Sequence, residues 1–328
     1  MTAPMPRWSL LVAVATSFAL ITLGPAASAR AVSAERDDTC REGGSSARAT
    51  GGRRPDTSTF TAEELREVER ELRGSDGWRT AASARIEPAG SIDVHVHVVG
   101  SKAARGPTRK RVNRQMSVLQ AAYTAGQSSL SAVTGFTFIQ SSFERVRNSQ
   151  WHRASPGSIA DRQMRRELHR GGRDALNVYV LAPRLPRGAG SGTLLGWSTL
   201  PWELGGGNAL QDGITVHKAT LPGSGSGVGG FRGFDSGDTL VHETGHWLGL
   251  LHTFEGGCTE QNDGVEDTPA QKTASTDCAV GTDTCDLPGE DPVRNFMDYS
   301  PDECMDMFTL GQVERMSASW AAYRAPTT

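Results

Sequence analysis

Residues 240–254, LVHETGHWLGLLHTF, constrain this chain more than any other stretch of it. They contain H-E-x-x-H-x-x-G-x-x-H, with His242, Glu243, His246, Gly249 and His252 in register. Residues four apart share one face of an α-helix about one turn apart, so His242 and His246 can grip one ion. Glu243 lies one step round the helix, close enough to hold a water on that ion without ligating it. A helix that continued would point residue 252 away. Gly249 can take the positive φ that ends a helix and turns the chain back, bringing His252 in as a third ligand. Three histidines leave the fourth position of a tetrahedral zinc site open, as in a catalytic centre. Bare H-E-x-x-H arises by chance roughly once in a hundred chains of this length. The glycine and third histidine lower that by roughly another thousandfold, which rejects an amphipathic helix with core histidines as the explanation. The expected chemistry is peptide-bond hydrolysis. Zinc polarises the carbonyl and activates water, while Glu243 takes the water's proton and delivers it to the departing amine.

The N-terminus sets the compartment. Arg7 precedes an apolar run from Trp8 to Leu23, Gly24 and Pro25 break it, and Ala27-Ser28-Ala29 offers an A-x-A cleavage site. Residues 1–29 therefore read as a signal peptide. A membrane anchor is the alternative, but the run is short of the ~20 residues needed to span a bilayer. The reading is a secreted, extracellular protein with no membrane attachment after signal removal. Cysteine usage agrees: Cys258, Cys278, Cys285 and Cys304 cluster near the C-terminus and Cys40 stands alone. Four cysteines in an exported chain make two disulfides with three possible pairings, and no C-x-x-C pair favours a second zinc site. The formal net charge of -3 argues against a nucleic-acid partner, and the arginines at 162, 165, 166 and 170 read as a solvated helix face.

Residues 30–90 are polar, Arg/Glu-rich and interrupted by Gly and Pro, and read as a propeptide. A disordered tail is the alternative. One helix stands out there: Thr61 and Glu64 make a capping box, Leu65, Val68 and Leu72 share a face, and Gly74 ends the run. The folded domain is expected over residues 91–328. Ile92, Val94, Val96 and Val98 alternate with Asp93, His95 and His97, which is strand patterning. A helix is expected over 108–130, a strand over 136–139, a helix over 159–170 and a strand over 177–181. A further strand, near a sheet edge, is expected over 212–219. A last helix opens with Thr309 and Gln312 as a capping box and buries Val313, Met316, Trp320 and Tyr323.

Beyond the zinc motif, the run Asn295-Phe296-Met297-Asp298-Tyr299 resembles the methionine-containing turn that lies beneath the zinc in metzincins. The wider chain resembles the pappalysin-type (cytophagalysin) family, which includes fungal extracellular metalloproteases. Matching stretches are 195–198, 239–254, 265–269, 291–304 and 308–315. The resemblance implies an α+β, zincin-like domain of two subdomains: a twisted sheet with a backing helix and the zinc helix above, an irregular half below, and the active site between. It implies Met297 as the turn methionine and Tyr299 as a group that stabilises the tetrahedral intermediate. It also implies disulfides Cys258–Cys285 and Cys278–Cys304. Glu303 matches an acidic position at the base of the S1′ pocket in members that cut before Arg or Lys, where it would pair with a guanidinium. Calcium is implied at the acidic loop with Asp263, Asp267 and Thr268, where an ordinary acidic turn is the alternative. Cys40 is a possible latency switch, a thiolate filling the open zinc position, although its context lacks the family's Cys-Gly pair. The activity expected is a zinc endopeptidase acting on protein or peptide substrates. The rival readings are a protease of broad specificity and a zinc-binding interaction module without catalysis, which the presence of Glu243 opposes.

Overall fold

The computed structural model describes residues 62–74, 90–185, 193–204, 209–224 and 231–326. The alternation at 92–98 forms strand β1 (Gly90–Gly100). It pairs in parallel with β2 (Phe136–Arg147) on one side and β3 (Leu176–Leu181) on the other. Parallel β5 (Ile214–His217) follows, and antiparallel β4 (Gly196–Ser198) forms the edge, giving the order β2-β1-β3-β5-β4.

The period of two along β1 sends successive side chains to opposite faces. Ile92, Val94, Val96 and Val98 enter one core with Val112 and Leu119 of α2 (Arg109–Tyr123) and Leu240 and Val241 of α4 (Asp238–Trp247). Val99 and, from β3, Tyr179 and Leu181 pack on the opposite face against Met164 and Leu168 of α3 (Ile159–Leu168). Each aliphatic side chain so buried contributes about 1.5–3 kcal/mol. β3 is covered on both faces and buried at all six positions, as a strand inside a parallel sheet must be. The zinc-motif helix α4 is thus seated between sheet and solvent-side loops, every one of its ten residues buried.

Below the sheet, residues 248–308 form an irregular half held by disulfides Cys258–Cys285 and Cys278–Cys304. The last helix, α5 (Leu310–Ser319), begins with a capping box of Thr309 and Gln312 and runs into a π-helical turn, Trp320–Arg324. Val313 and Met316 are fully buried.

Three boundaries differ from the sequence expectation. α2 stops at Tyr123 rather than 130, because Ala125 takes φ 56° and the Gly126 N–H bonds back to Ala121 O at 2.7 Å, a left-handed helix closure. β2 runs on to Arg147, because β1 offers a partner along its whole length, with one bulge between Val94 and His95. β5 covers 214–217 rather than 212–219 and lies near the sheet edge as expected, one place in from it; the edge strand β4, three residues long, is too short to show a period. The expected signal peptide and Cys40 lie outside the described residues, as does most of the expected propeptide. The part described is helix α1 (Ala62–Gly74), with Val68 and Leu72 buried. No helix among the described residues is long and apolar enough to cross a membrane.

Candidate metal centre and active site

The three imidazoles meet. Nε2 of His246 lies 3.1 Å from Nε2 of His242 and 3.1 Å from Nε2 of His252. On the far side of each ring, Nδ1 is fixed. His242 Nδ1 donates to Phe296 O at 2.6 Å and His246 Nδ1 to Leu250 O at 2.8 Å. His252 Nδ1 faces Glu255 Oε2 at 3.1 Å. A carbonyl can only accept, so the proton of His242 and of His246 stays on Nδ1 and the Nε2 lone pair points inward. Lone pairs aimed at one another repel unless a cation lies among them. The donor set and the outer hydrogen bonds therefore fit a tetrahedral zinc site.

The chain reversal is built at Gly249, whose φ is 100°. A methyl group there would lie 2.7 Å from Ser319 Cβ on α5, so both the dihedral and the close approach require glycine. Leu250 N–H closes back on Gly245 O at 2.9 Å, which delivers His252. Met297 Sδ packs directly against Gly245, beneath the histidines. That turn is fixed by Asn295: its Oδ1 accepts from Met297 N at 2.9 Å, and it exchanges side-chain hydrogen bonds with Gln312 of α5 at 2.9 and 3.0 Å. Asp298, fully buried, accepts from Tyr299 N, Ser275 N and Gln271 Nε2.

Tyr299 OH lies 3.1 Å from His252 Nε2, with Phe254 stacked on the other side of the His252 ring. Glu243 and His242 line a pocket together with Leu195, Phe234, Met305 and Asp302. Besides Glu243, the acids that line this pocket are Asp298 and Asp302, the latter one residue before Glu303. Glu303 is exposed, its carboxylate beside the sulfurs of Cys278 and Cys304, because the Cys278–Cys304 bridge turns that position to the surface. Those two sulfurs are bonded to each other, so this group is no metal site. Asp302 Oδ2 accepts from Ser236 N at 2.7 Å and Gly237 N at 3.0 Å, capping α4, while Oδ1 is buried with no hydrogen-bond partner among the described residues. Burial raises the Asp302 pKa, partly offset by those amides. Asp238, at the start of α4, is raised by its own burial first and by the Asp302 charge second.

The expected calcium ligands do not gather. Asp263 and Thr268 are buried together, and burial pushes the Asp263 carboxyl well above its usual range. Asp267 instead turns outward and accepts Gly311 N–H at 2.9 Å at the N-terminus of α5, where the helix dipole favours a carboxylate. Among the described residues no three His, Cys, Asp or Glu side chains gather there. His95 and His97 do not converge on a metal either: His95 bonds Ser142, and His97 bonds Glu144 and Asn177. Sequence reasoning missed Glu255, Asp302 and the buried pair Arg324–Asp212, which carries the end of α4: Arg324 donates to Trp247 O at 2.7 Å and to Asp212 at 2.8 Å. Only the i,i+3 spacing of His252 and Glu255 left a legible signal.

Residues 233–321 match the family model described as pregnancy-associated plasma protein-A. The chain is 37% identical over 246 residues to an extracellular metalloprotease of Pyricularia oryzae, covering 74% of this chain and 79% of that protein. It is also 37% identical over 251 residues to extracellular metalloprotease 1 of Coccidioides posadasii, covering 75% and 82%. Among solved structures, a promirolysin variant from Tannerella forsythia superposes with TM-score 0.61 at 25% identity, covering 83% of this chain and 95% of that one. Mature mirolysin in complex with a cleaved peptide gives 0.54 at 27% identity, covering 69% and 89%. The converging histidines, the methionine turn beneath them and these likenesses agree: the chain belongs to the pappalysin family of metzincin-type metalloendopeptidases.

Proposed function

We propose that this chain is a secreted zinc endopeptidase that cuts proteins on the N-terminal side of Arg or Lys. The observation that carries the metal reading is the convergence of three Nε2 atoms, 3.1 Å apart in succession, with their Nδ1 atoms engaged on the far side. Bound there, zinc supplies Lewis-acid polarisation of the scissile carbonyl and acidifies water. Glu243, fully buried and lining the pocket, takes the proton of the attacking water and hands it to the departing amine. Tyr299 directs its hydroxyl into the same space and donates to the carbonyl oxygen as negative charge develops there. Asp302 Oδ1, buried in the pocket wall, receives the guanidinium or ammonium of the residue after the cut. Peptide substrates are supported by the mirolysin–peptide likeness, and secretion by the extracellular relatives and the apolar segment at 8–23.

The test is peptide-library cleavage by the protein purified from culture medium, alone, with a zinc chelator, and as Glu243→Ala. Both treatments should abolish cleavage, and Arg or Lys should dominate immediately after the cut. A fully metallated protein that cleaves nothing would overturn the catalytic reading. Cleavage with no basic preference would overturn only the role of Asp302.

A further inference from the structure

Two buried arginines of the C-terminal segment hold the carbonyls at the end of the metal helix. Arg324 takes Trp247 O, and Arg315 Nε donates to Gly249 O at 2.8 Å. The second contact falls on the turn that sends His252 to its neighbours. Arg315 is 1% exposed, and a guanidinium so buried needs a counter-charge. Arg324 finds one within the same region, in Asp212. Arg315 finds its ion-pair partner 246 positions away, in Glu69 of α1. Asp263 is the other acid near Arg315, but burial favours its neutral form.

The three elements close on one another. Arg315 Nη1 also faces Gly264 O at 3.5 Å, and a methyl group on Gly264 would lie 2.6 Å from Glu69 Oε1 and 2.8 Å from Arg315 Nη1. Val68 and Leu72 are buried on the docked face of α1, while Glu67, Arg70, Glu71 and Arg73 are exposed. α1 belongs to the stretch that reads in sequence as a removable propeptide, yet it supplies the charge that completes a contact beside the metal site.

We propose that Arg315 is a positioning residue for the Gly249 turn, and that Glu69 of α1 holds it in place, so that α1 strengthens metal binding. The proposal rests on the zinc site described above. With Glu69 present, the guanidinium is neutralised and directed onto Gly249 O, and the turn holds His252 at the distance its two partners require. Without it, a buried cation retains only carbonyl partners, draws in water and loosens the turn. A maturation cut between α1 and β1 that let α1 leave would therefore lower the affinity of the centre for its metal.

The experiment uses the full chain carrying Glu243→Ala, which stops self-processing and keeps α1 attached. Zinc affinity is measured by competition with a chromogenic chelator, beside the thermal midpoint, for this parent and for the further substitutions Glu69→Gln and Arg70→Gln. Direct outer-sphere partners of ligating histidines are worth about 10–100-fold in affinity. One step further out, Glu69→Gln should weaken zinc binding about three- to tenfold, and Arg70→Gln, a change on the exposed face of α1, should leave it unchanged. A Glu69→Gln protein whose midpoint falls but whose zinc affinity stays within about twofold of the parent would make the contact merely structural and overturn the proposal. A parent that binds no zinc would overturn the metal-site reading itself.

Discussion

At the scale of single residues, the site depends on protons held in place. His242 and His246 each donate Nδ1–H to a carbonyl, so neither ring can turn without leaving that carbonyl unpaired, which costs about 1–3 kcal/mol when buried. The motif spacing names these rings but not the carbonyls, since Phe296 lies 54 positions from His242. The acid of the pocket shows the same limit. Position 303 matched by resemblance, while the chain turn at the Cys278–Cys304 bridge exposes it and leaves Asp302 inside. Asp302→Asn keeps the shape and removes the charge. It should reduce kcat/KM for substrates with Arg after the cut by about 10–100-fold, the about 1.5–3 kcal/mol of a charged hydrogen bond, with substrates bearing Ala there changed far less. Initial rates on a matched peptide pair check this.

At the scale of elements, α4 begins at Gly237, which has no side chain to cap it. Asp302 reaches across from the methionine-turn side to do so, placing two buried carboxyls, Asp302 and Asp238, near one another. Both pKa values are raised above their unfolded values, chiefly by burial. The stability linked to this pair is therefore complete at acid pH and is lost as pH rises from the ordinary carboxylate range through neutrality. Asp238→Asn removes one ionisable member while keeping an acceptor for Gln127 Nε2. Its thermal midpoint should match wild type below about pH 4 and exceed it by roughly 2–4 °C near pH 8, about 1 kcal/mol in a chain of this size. A difference that stayed constant with pH would show that the pair is not the source.

At the scale of the whole molecule, the sheet, the metal helix and the C-terminal helix are joined by buried ions. Arg324, fully buried, bonds Trp247 O and Asp212, and Asp212 also accepts from Trp247 Nε1 and Thr199 Oγ1. The Arg324 guanidinium lies 3.6 Å from the Trp247 ring centroid. Arg165, read in the sequence as part of a solvated helix face, is instead buried and does similar work between α3 and β5, through Asp161, Gly213 O and Thr215 Oγ1. Breaking a buried pair strands the other charge, so Asp212→Ala should destabilise the protein by about 3–5 kcal/mol. Chemical denaturation read by tryptophan fluorescence checks this.

The sequence by itself determined the local features. The period of two in β1, the capping box of α5 and the i,i+4 histidines all depend on neighbours within a few residues, so the chain's own spacing suffices to define them. It also carried the sharp turn at Gly249, because a positive φ is a property of one residue. Tertiary structure alone decided what depends on partners far along the chain. It decided that Asp302 rather than Glu303 lines the pocket, and that Asp267 caps α5. It also decided that Glu69 meets Arg315 across 246 positions. Such pairings follow from how whole elements pack, and no local period encodes them.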